Sequence, residues 1–344
     1  MNQAKVLNFF GLLLIMFGMS FALPLFVAIF YGENLTKVFG LGMSSLVLLG
    51  FISWFFTKDN KQELSLSDGF VITVLFWIVL SVSGSIPFLL FGFSVVDSFF
   101  ESMSGITTTG ATVIAGLDDL PKSLLIYRQL LQWLGGMGLI VLAIAVMPLL
   151  GIGGGQLFKT QTPGPMSEQR LTPRITSTAR ALWSIYFVLT VLCILAYRLA
   201  GMNNFDAVSH AFSTVSIGGF STHDLSIGFF NSLSIEIVCI TFMLLSAMSF
   251  AVHYSAIYRK QILKYFYDPE LRFFVSILAV ILGLVCLSLF ANGVDDPIRS
   301  GLFQTVSILT TTGFLTDEYS SWPAYISFMS VSYTHLTLPT RIFV

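Results

Sequence analysis

Apolar runs long enough to cross a bilayer recur along the chain, separated by short polar stretches. About 20 mostly apolar residues make a spanning helix, and the runs 7–31, 36–56, 70–92, 124–150, 180–200, 232–258 and 271–291 meet that length. A further run begins near Trp322 and breaks into SYTHLTLPTRIFV. The first run follows Lys5 but is too long for a signal peptide and has no small-residue cleavage site, so it is expected to stay in the protein.

After runs 70–92, 180–200 and 271–291 comes a segment too apolar for a loop and too short and polar for a span. Aligned without gaps, the three read Asp97-SFFESMSGITTTGAT, Asp206-AVSHAFSTVSIGGFS and Ser300-GLFQTVSILTTTGFL. Gly110, Gly219 and Gly313 fall at one offset, Ser104, Ser213 and Ser307 at another, and Ile106, Val215 and Leu309 at a third, so this is an internal repeat. Irregular backbone at membrane depth survives only when buried in protein or lining water. The pattern therefore predicts a short helix followed by a re-entrant turn, three times over. Asp97 and Asp206 suit the start of such a helix, whose opposite end carries partial negative charge and favours a cation. Past that end, the carbonyls of Thr107, Thr108, Ser216, Ile217, Thr310 and Thr311 are candidates to replace a cation's hydration shell. The three glycines permit backbone angles closed to other residues. A single TTTG would read as close helix packing; three copies, each between two spans, read as pore lining.

Composition agrees. The chain is 55% hydrophobic and 10% charged, where a soluble domain carries about 25% charge. That excludes a cytosolic enzyme, a secreted disulfide scaffold and a disordered regulator. The net charge of −1 offers no basic face to nucleic acid. Cys193, Cys239 and Cys286 lie in apolar runs and read as small buried residues. No serine–histidine–aspartate, cysteine–histidine or paired-carboxylate arrangement stands out, so the chain is not read as an enzyme. Basic residues gather in alternate loops (Lys5; Lys58 and Lys61; Lys159, Arg170, Arg174 and Arg180; Arg259, Lys260, Lys264 and Arg272), which places the N-terminus in the cytoplasm. Opposite them stand fewer cations, Arg128 and Arg299 included, and an acidic set: Glu33, Asp97, Glu101, Asp118, Asp119, Asp206, Asp224, Asp295, Asp296, Asp317 and Glu318. Such a vestibule would concentrate cations. Glu236 sits near the end of a span, in reach of water, and His210, His223 and His253 lack metal-ligand spacing. Gly135, Gly136 and Gly138 read as points of close helix approach, and Gly151-IGGG lacks the ending of a phosphate loop.

On the TTTGAT, SIGGFS and TTTGF stretches and the loop MPLLGIGGGQLFKTQTPGP, the chain resembles the TrkH/KtrB family of bacterial potassium-uptake proteins, within the Trk/Ktr/HKT superfamily. An extra N-terminal hairpin makes the TrkH branch the nearer one. The resemblance implies an all-α integral membrane protein: a helix hairpin, then helix–pore-loop–helix units around one pseudo-fourfold pore. It implies potassium as the transported ion with no bound cofactor, a homodimer in the bacterial inner membrane among its lipids, and a cytoplasmic ring of TrkA-like nucleotide-binding subunits that controls opening. One glycine per turn, where tetrameric potassium channels have two, predicts weak discrimination among potassium, rubidium and sodium. The expected layout is a hairpin at 1–57, pore repeats at 68–155, 175–260 and 268–331, the last incomplete, and a non-native tail at 332–344. A fourth repeat is expected to be absent. An alternating-access carrier and a non-conducting assembly subunit stand as alternatives, the first opposed by repeats that all run the same way.

Overall fold

The computed structural model describes residues 3–58, 66–146 and 175–317, together with Trp322. Among these residues every regular element is a helix. The chain forms two compact units, Met1–Gly154 and Gly155–Val344.

In the first unit, α1 (Gln3–Ser20) and α2 (Ala22–Phe30) make one span interrupted at Phe21. Helix α3 (Thr36–Thr57) returns against it. The two backbones touch at a glycine pair: a methyl group on Gly11 would stand 2.8 Å from the Gly50 carbonyl oxygen, and one on Gly50 would stand 2.6 Å from that of Gly11. Without interior water to drive association, such close approach is what holds membrane helices together. Then come α4 (Leu66–Gly84), α5 (Ile86–Phe91), the short α6 (Val95–Ile106) and α7 (Lys122–Val146). Phe21, Phe39, Phe88 and Tyr127 form a buried aromatic cluster, and the Tyr127 hydroxyl donates to the Gly84 carbonyl 2.7 Å away, where α4 gives way to α5. Glu33, in the turn after α2, accepts from the backbone N–H groups of Lys122 and Ser123 at 2.7 and 3.1 Å. The carboxylate expected in an acidic vestibule thus caps the start of α7, neutralising free N–H groups at the positive end of the helix.

In the second unit, α8 (Ile175–Leu199) leads to the short α9 (Asn204–Val215), then α10 (Leu233–Ala247) and α11 (Phe250–Tyr258). A four-residue α12 (Lys264–Tyr267), the long α13 (Pro269–Ala291) and α14 (Pro297–Leu309) follow. The expected span at 232–258 is not straight. It bends by 95° at the Met248–Ser249 break. His253 closes the bend, with its ring nitrogens 2.8 Å from the Leu245 carbonyl and 2.7 Å from the Tyr265 hydroxyl.

Among the described residues, five helical stretches are long and apolar enough to span: Gln3–Phe30, Thr36–Thr57, Ser67–Phe91, Arg180–Leu199 and Pro269–Ala291. The bent pair α10–α11 makes a sixth if it counts as one. The run expected at 124–150 is helical to Val146, where the described residues pause. The Gly151-IGGG loop, Lys61, Lys159, Arg170, Arg174, Glu318 and the tail 332–344 lie outside the described residues.

Candidate functional site

The three helices that carry the repeat are too short to span. α6 and α9 have 12 residues each and α14 has 13, at most about 20 Å of helix. Their starts differ from expectation in one respect. Asp97 and Asp206 are not the caps; Ser94 and Asn203, three residues earlier, are. Each accepts the backbone N–H of its aspartate, at 3.1 and 2.9 Å, and donates back to the carboxylate at 2.7 and 2.6 Å. The pairs form a variant of the capping box, with the acid three positions in from the cap. α14 starts on Pro297, whose missing N–H is no loss at a first helical position.

The ends are alike in all three. Thr107, Ser216 and Thr310 are the C-caps, with φ of −81°, −80° and −79°. The next residues, Thr108, Ile217 and Thr311, turn left-handed at φ 55°, 52° and 62°. Their N–H groups reach back three residues, to Gly105, Thr214 and Ile308. The N–H groups after them reach back five, from Thr109 to Ser104, Gly218 to Ser213 and Thr312 to Ser307, each at 2.9 Å. This double closure is the Schellman motif, whose left-handed position normally holds glycine. Here it holds β-branched residues, for which that conformation is a genuine outlier, at about 1–3 kcal/mol of strain apiece. Two residues on, Gly110, Gly219 and Gly313 turn left-handed again, at φ 77°, 79° and 85°.

Thus the residues singled out from sequence occupy matching places: the C-cap, the strained residue after it, and the second left-handed turn. The hydroxyls of Thr107 and Thr310 donate back to the Met103 and Val306 carbonyls at 2.7 and 2.8 Å and pair with Thr109 and Thr312, both at 2.8 Å. Those hydroxyls are thus engaged within their own turns. Ser216 is hydrogen-bonded by the buried Tyr186 of α8. The second and third turns also touch, since Gly219 packs directly against the Thr312 carbonyl. In the first unit, Gly135 lies against the Ile106 carbonyl at the end of α6, so a methyl group there would sit 1.9 Å from its oxygen, and Gly138 packs on Phe76.

A family model for TrkH, described as a cation transport protein, matches residues 36–335. The chain belongs to the TrkH family. It is 46% identical over 335 residues to the Trk system potassium uptake protein TrkH of Halomonas elongata, covering 96% of this chain and 70% of that protein. It is 47% identical to the TrkH of Vibrio parahaemolyticus, over 95% of this chain and 69% of the other. The crystal structure of the potassium transporter TrkH from Vibrio parahaemolyticus superposes with a TM-score of 0.85 at 43% identity, across 97% of this chain and 70% of that one. This family membership, with the apolar helices, makes the chain a membrane protein of the Trk potassium transport class.

The TrkH-family site holds one feature that the motifs did not show. Each turn is followed by an outgoing segment, and a polar residue of the short helix grips it. Glu101 accepts from the Thr112 hydroxyl at 3.0 Å and from the Val113 N–H at 3.3 Å. Arg128 of α7 closes this network, 2.7 Å from Glu101 and 3.0 Å from Thr112, with both charged side chains fully buried. In the second repeat, His210 bonds Ser221 at 2.9 Å, while Asp206 takes the Thr222 hydroxyl at 2.8 Å and His223 at 3.2 Å. In the third, Gln304 donates to the Asp317 carbonyl at 3.2 Å and Ser300 donates to the Asp317 carboxylate. Nearer the turn, Ser104 donates to the Ala111 carbonyl and, at 2.7 Å, Ser307 to that of Phe314.

The acidic set therefore divides. Asp118, Asp119, Asp224, Asp295, Asp296 and Asp317 are exposed. Glu101 and Asp206 are buried and paired. Glu236, expected in reach of water at the end of its span, is buried as well and pairs with Arg299 at 2.7 Å, linking α10 to α14. α9 does not span, and its titrating groups are perturbed. Burial holds the His210 imidazole down at about 4, against the raising influence of Asp206. Burial would raise Asp206, but hydrogen bonds from His223 and Thr222, with the two imidazoles nearby, outweigh it and bring the carboxyl to about 2. Among the described residues no group of three histidine, cysteine or acidic side chains could hold a metal. The cysteines are free, with Cys193 and Cys239 buried and Cys286 half-buried.

Proposed function

We propose that this chain takes up potassium across a bacterial inner membrane, through a pore lined by the carbonyls of residues 107–110, 216–219 and 310–313. The observation that carries the reading is the triple recurrence of one strained turn at the end of a non-spanning helix. Three helix C-termini supply partial negative charge. Alternation of left-handed and ordinary residues across each turn lets successive carbonyls face one side, where they can stand in for water around a dehydrated ion. The relatives are named as potassium uptake proteins of the Trk system, which supports potassium as the cargo.

On this reading the exposed aspartates line the entrance, the N-terminus is cytoplasmic, and an inside-negative potential drives entry with about 2.3 kcal/mol per charge per 100 mV. A homodimer, with cytoplasmic TrkA-like nucleotide-binding subunits controlling opening, completes the proposal; no cofactor is assigned to the chain itself. The test is radioactive rubidium influx into proteoliposomes holding the purified protein, with a potassium diffusion potential as the only driving force. Voltage-dependent uptake that cold potassium suppresses is the expected result. Exchange that saturates and ignores voltage would move the assignment to a carrier; absence of flux beside a working relative would leave a non-conducting subunit.

A further inference from the structure

We propose that Glu101, His210 and Gln304 are positioning residues for cation binding, each anchoring the segment that leaves its turn and so fixing the turn's carbonyls. The inference rests on the pore reading above and deepens it.

The three residues share one place, four positions after Asp97, Asp206 and Ser300. All are buried, with relative exposures of 0%, 0% and 1%. Each sends its polar group across to the outgoing segment, to Thr112 and Val113, to Ser221, and to Asp317. Helix periodicity alone would put an apolar residue on such a buried face. Three different polar residues recur instead, a carboxylate, an imidazole and an amide, and what they have in common is the bond they make. That bond crosses the turn from the helix to the non-helical segment that leaves it. It therefore limits how far the turn can relax, and a cation site made of carbonyls depends on their spacing. The serine tier nearer the turn, seen at Ser104 and Ser307, cannot do this alone, because it fixes only the first residue after Gly110 and Gly313.

His210 offers the cleanest test. Its ring packs against Phe230 and Phe314, at 5.4 and 6.0 Å, so leucine fits the site. Glutamine, the residue the third repeat uses, keeps a group able to reach Ser221. Ser209→Ala is the control: its buried hydroxyl makes no hydrogen bond among the described residues. The full chain is reconstituted, and amide exchange over residues 217–223 is followed with potassium or choline, beside rubidium influx. The expected result is that potassium slows exchange in the parent, His210→Gln and Ser209→Ala. In His210→Leu that protection is lost and half-saturation for rubidium rises about tenfold, as for one unmet buried hydrogen bond. Protection in His210→Leu equal to the parent overturns the proposal, as does its loss in His210→Gln. If the parent carries no rubidium yet shows potassium protection that follows this order, the anchor stands and the uptake reading falls.

Discussion

Gly219 lies so close beneath the Thr312 carbonyl that a Cβ at 219 would stand 1.9 Å from its oxygen. The neighbour is backbone, and backbone of another strained turn, so it has little room to give. Gly313 has a similar φ but nothing within 4 Å of where its Cβ would be. Two glycines that look equivalent in sequence thus carry different constraints. Gly313→Ala should cost only the left-handed penalty, about 1–2 kcal/mol, while Gly219→Ala adds overpacking of about 1–3 kcal/mol or more. Melting in detergent, followed by size-exclusion fluorescence, should rank Gly219→Ala well below Gly313→Ala; equal losses would show that the contact carries no weight.

The Glu101–Arg128 pair makes a second prediction. Removing one partner leaves a buried charge without its counter-charge, at about 3–5 kcal/mol, whereas removing both charges costs far less. Arg128→Gln should lower stability sharply, and Glu101→Gln combined with Arg128→Gln should recover most of it. A double-mutant cycle by denaturant unfolding in bicelles reads the coupling directly, and additive losses would argue against a functional pair.

Acid should act on the second repeat. His210 sits at about 4 in the folded protein against about 6.5 when unfolded. Between those values the unfolded chain binds the extra proton, so stability falls as pH drops from 6.5 toward 4. At pH 5 the loss is about 2 kcal/mol. Asp206, held at about 2, adds a further loss in the same direction only below about pH 4. His210→Gln should flatten the decline between pH 6.5 and 5 in a melting series, and an unchanged slope would remove His210 as its source.

Relief of backbone strain gives a fourth. Thr108→Gly and Thr311→Gly remove β-branched side chains from left-handed positions, where the strain is worth about 1–3 kcal/mol each. Each variant should melt higher than the parent, or no lower, while rubidium influx falls because the turn loses its rigidity. A variant both less stable and fully active would contradict that trade.

Much of this was legible in the residues. Of the seven apolar runs, five coincide with spanning stretches among the described residues, because bilayer thickness fixes their length, and the repeat located the turns because glycine and small hydroxyls recur at fixed offsets. The capping pairs were legible too, in Ser94 with Asp97 and Asn203 with Asp206, though the acid drew attention from the true cap. What the pattern hid was partnership. Glu101 and Asp206 read as vestibule charges, and Glu236 as a span-end carboxylate in reach of water, because sequence position tells side of membrane, not burial; only the fold brings Arg128 to Glu101 and Arg299 to Glu236. The left-handed Thr108, Ile217 and Thr311 were hidden for the opposite reason: residue preference argues against that conformation, and the surrounding hydrogen bonds override it. The 95° bend at Met248–Ser249 falls in an unbroken apolar run with no proline to announce it.

The unlike anchors have an evolutionary corollary. Where identical subunits assemble around an axis, a substitution is inherited by every subunit at once and must suit them all. Here carboxylate, imidazole and amide occupy corresponding places on one polypeptide, so selection can retune one repeat while its siblings keep the fold intact. On one chain, what identical subunits would have to share becomes a set of separately adjustable parts.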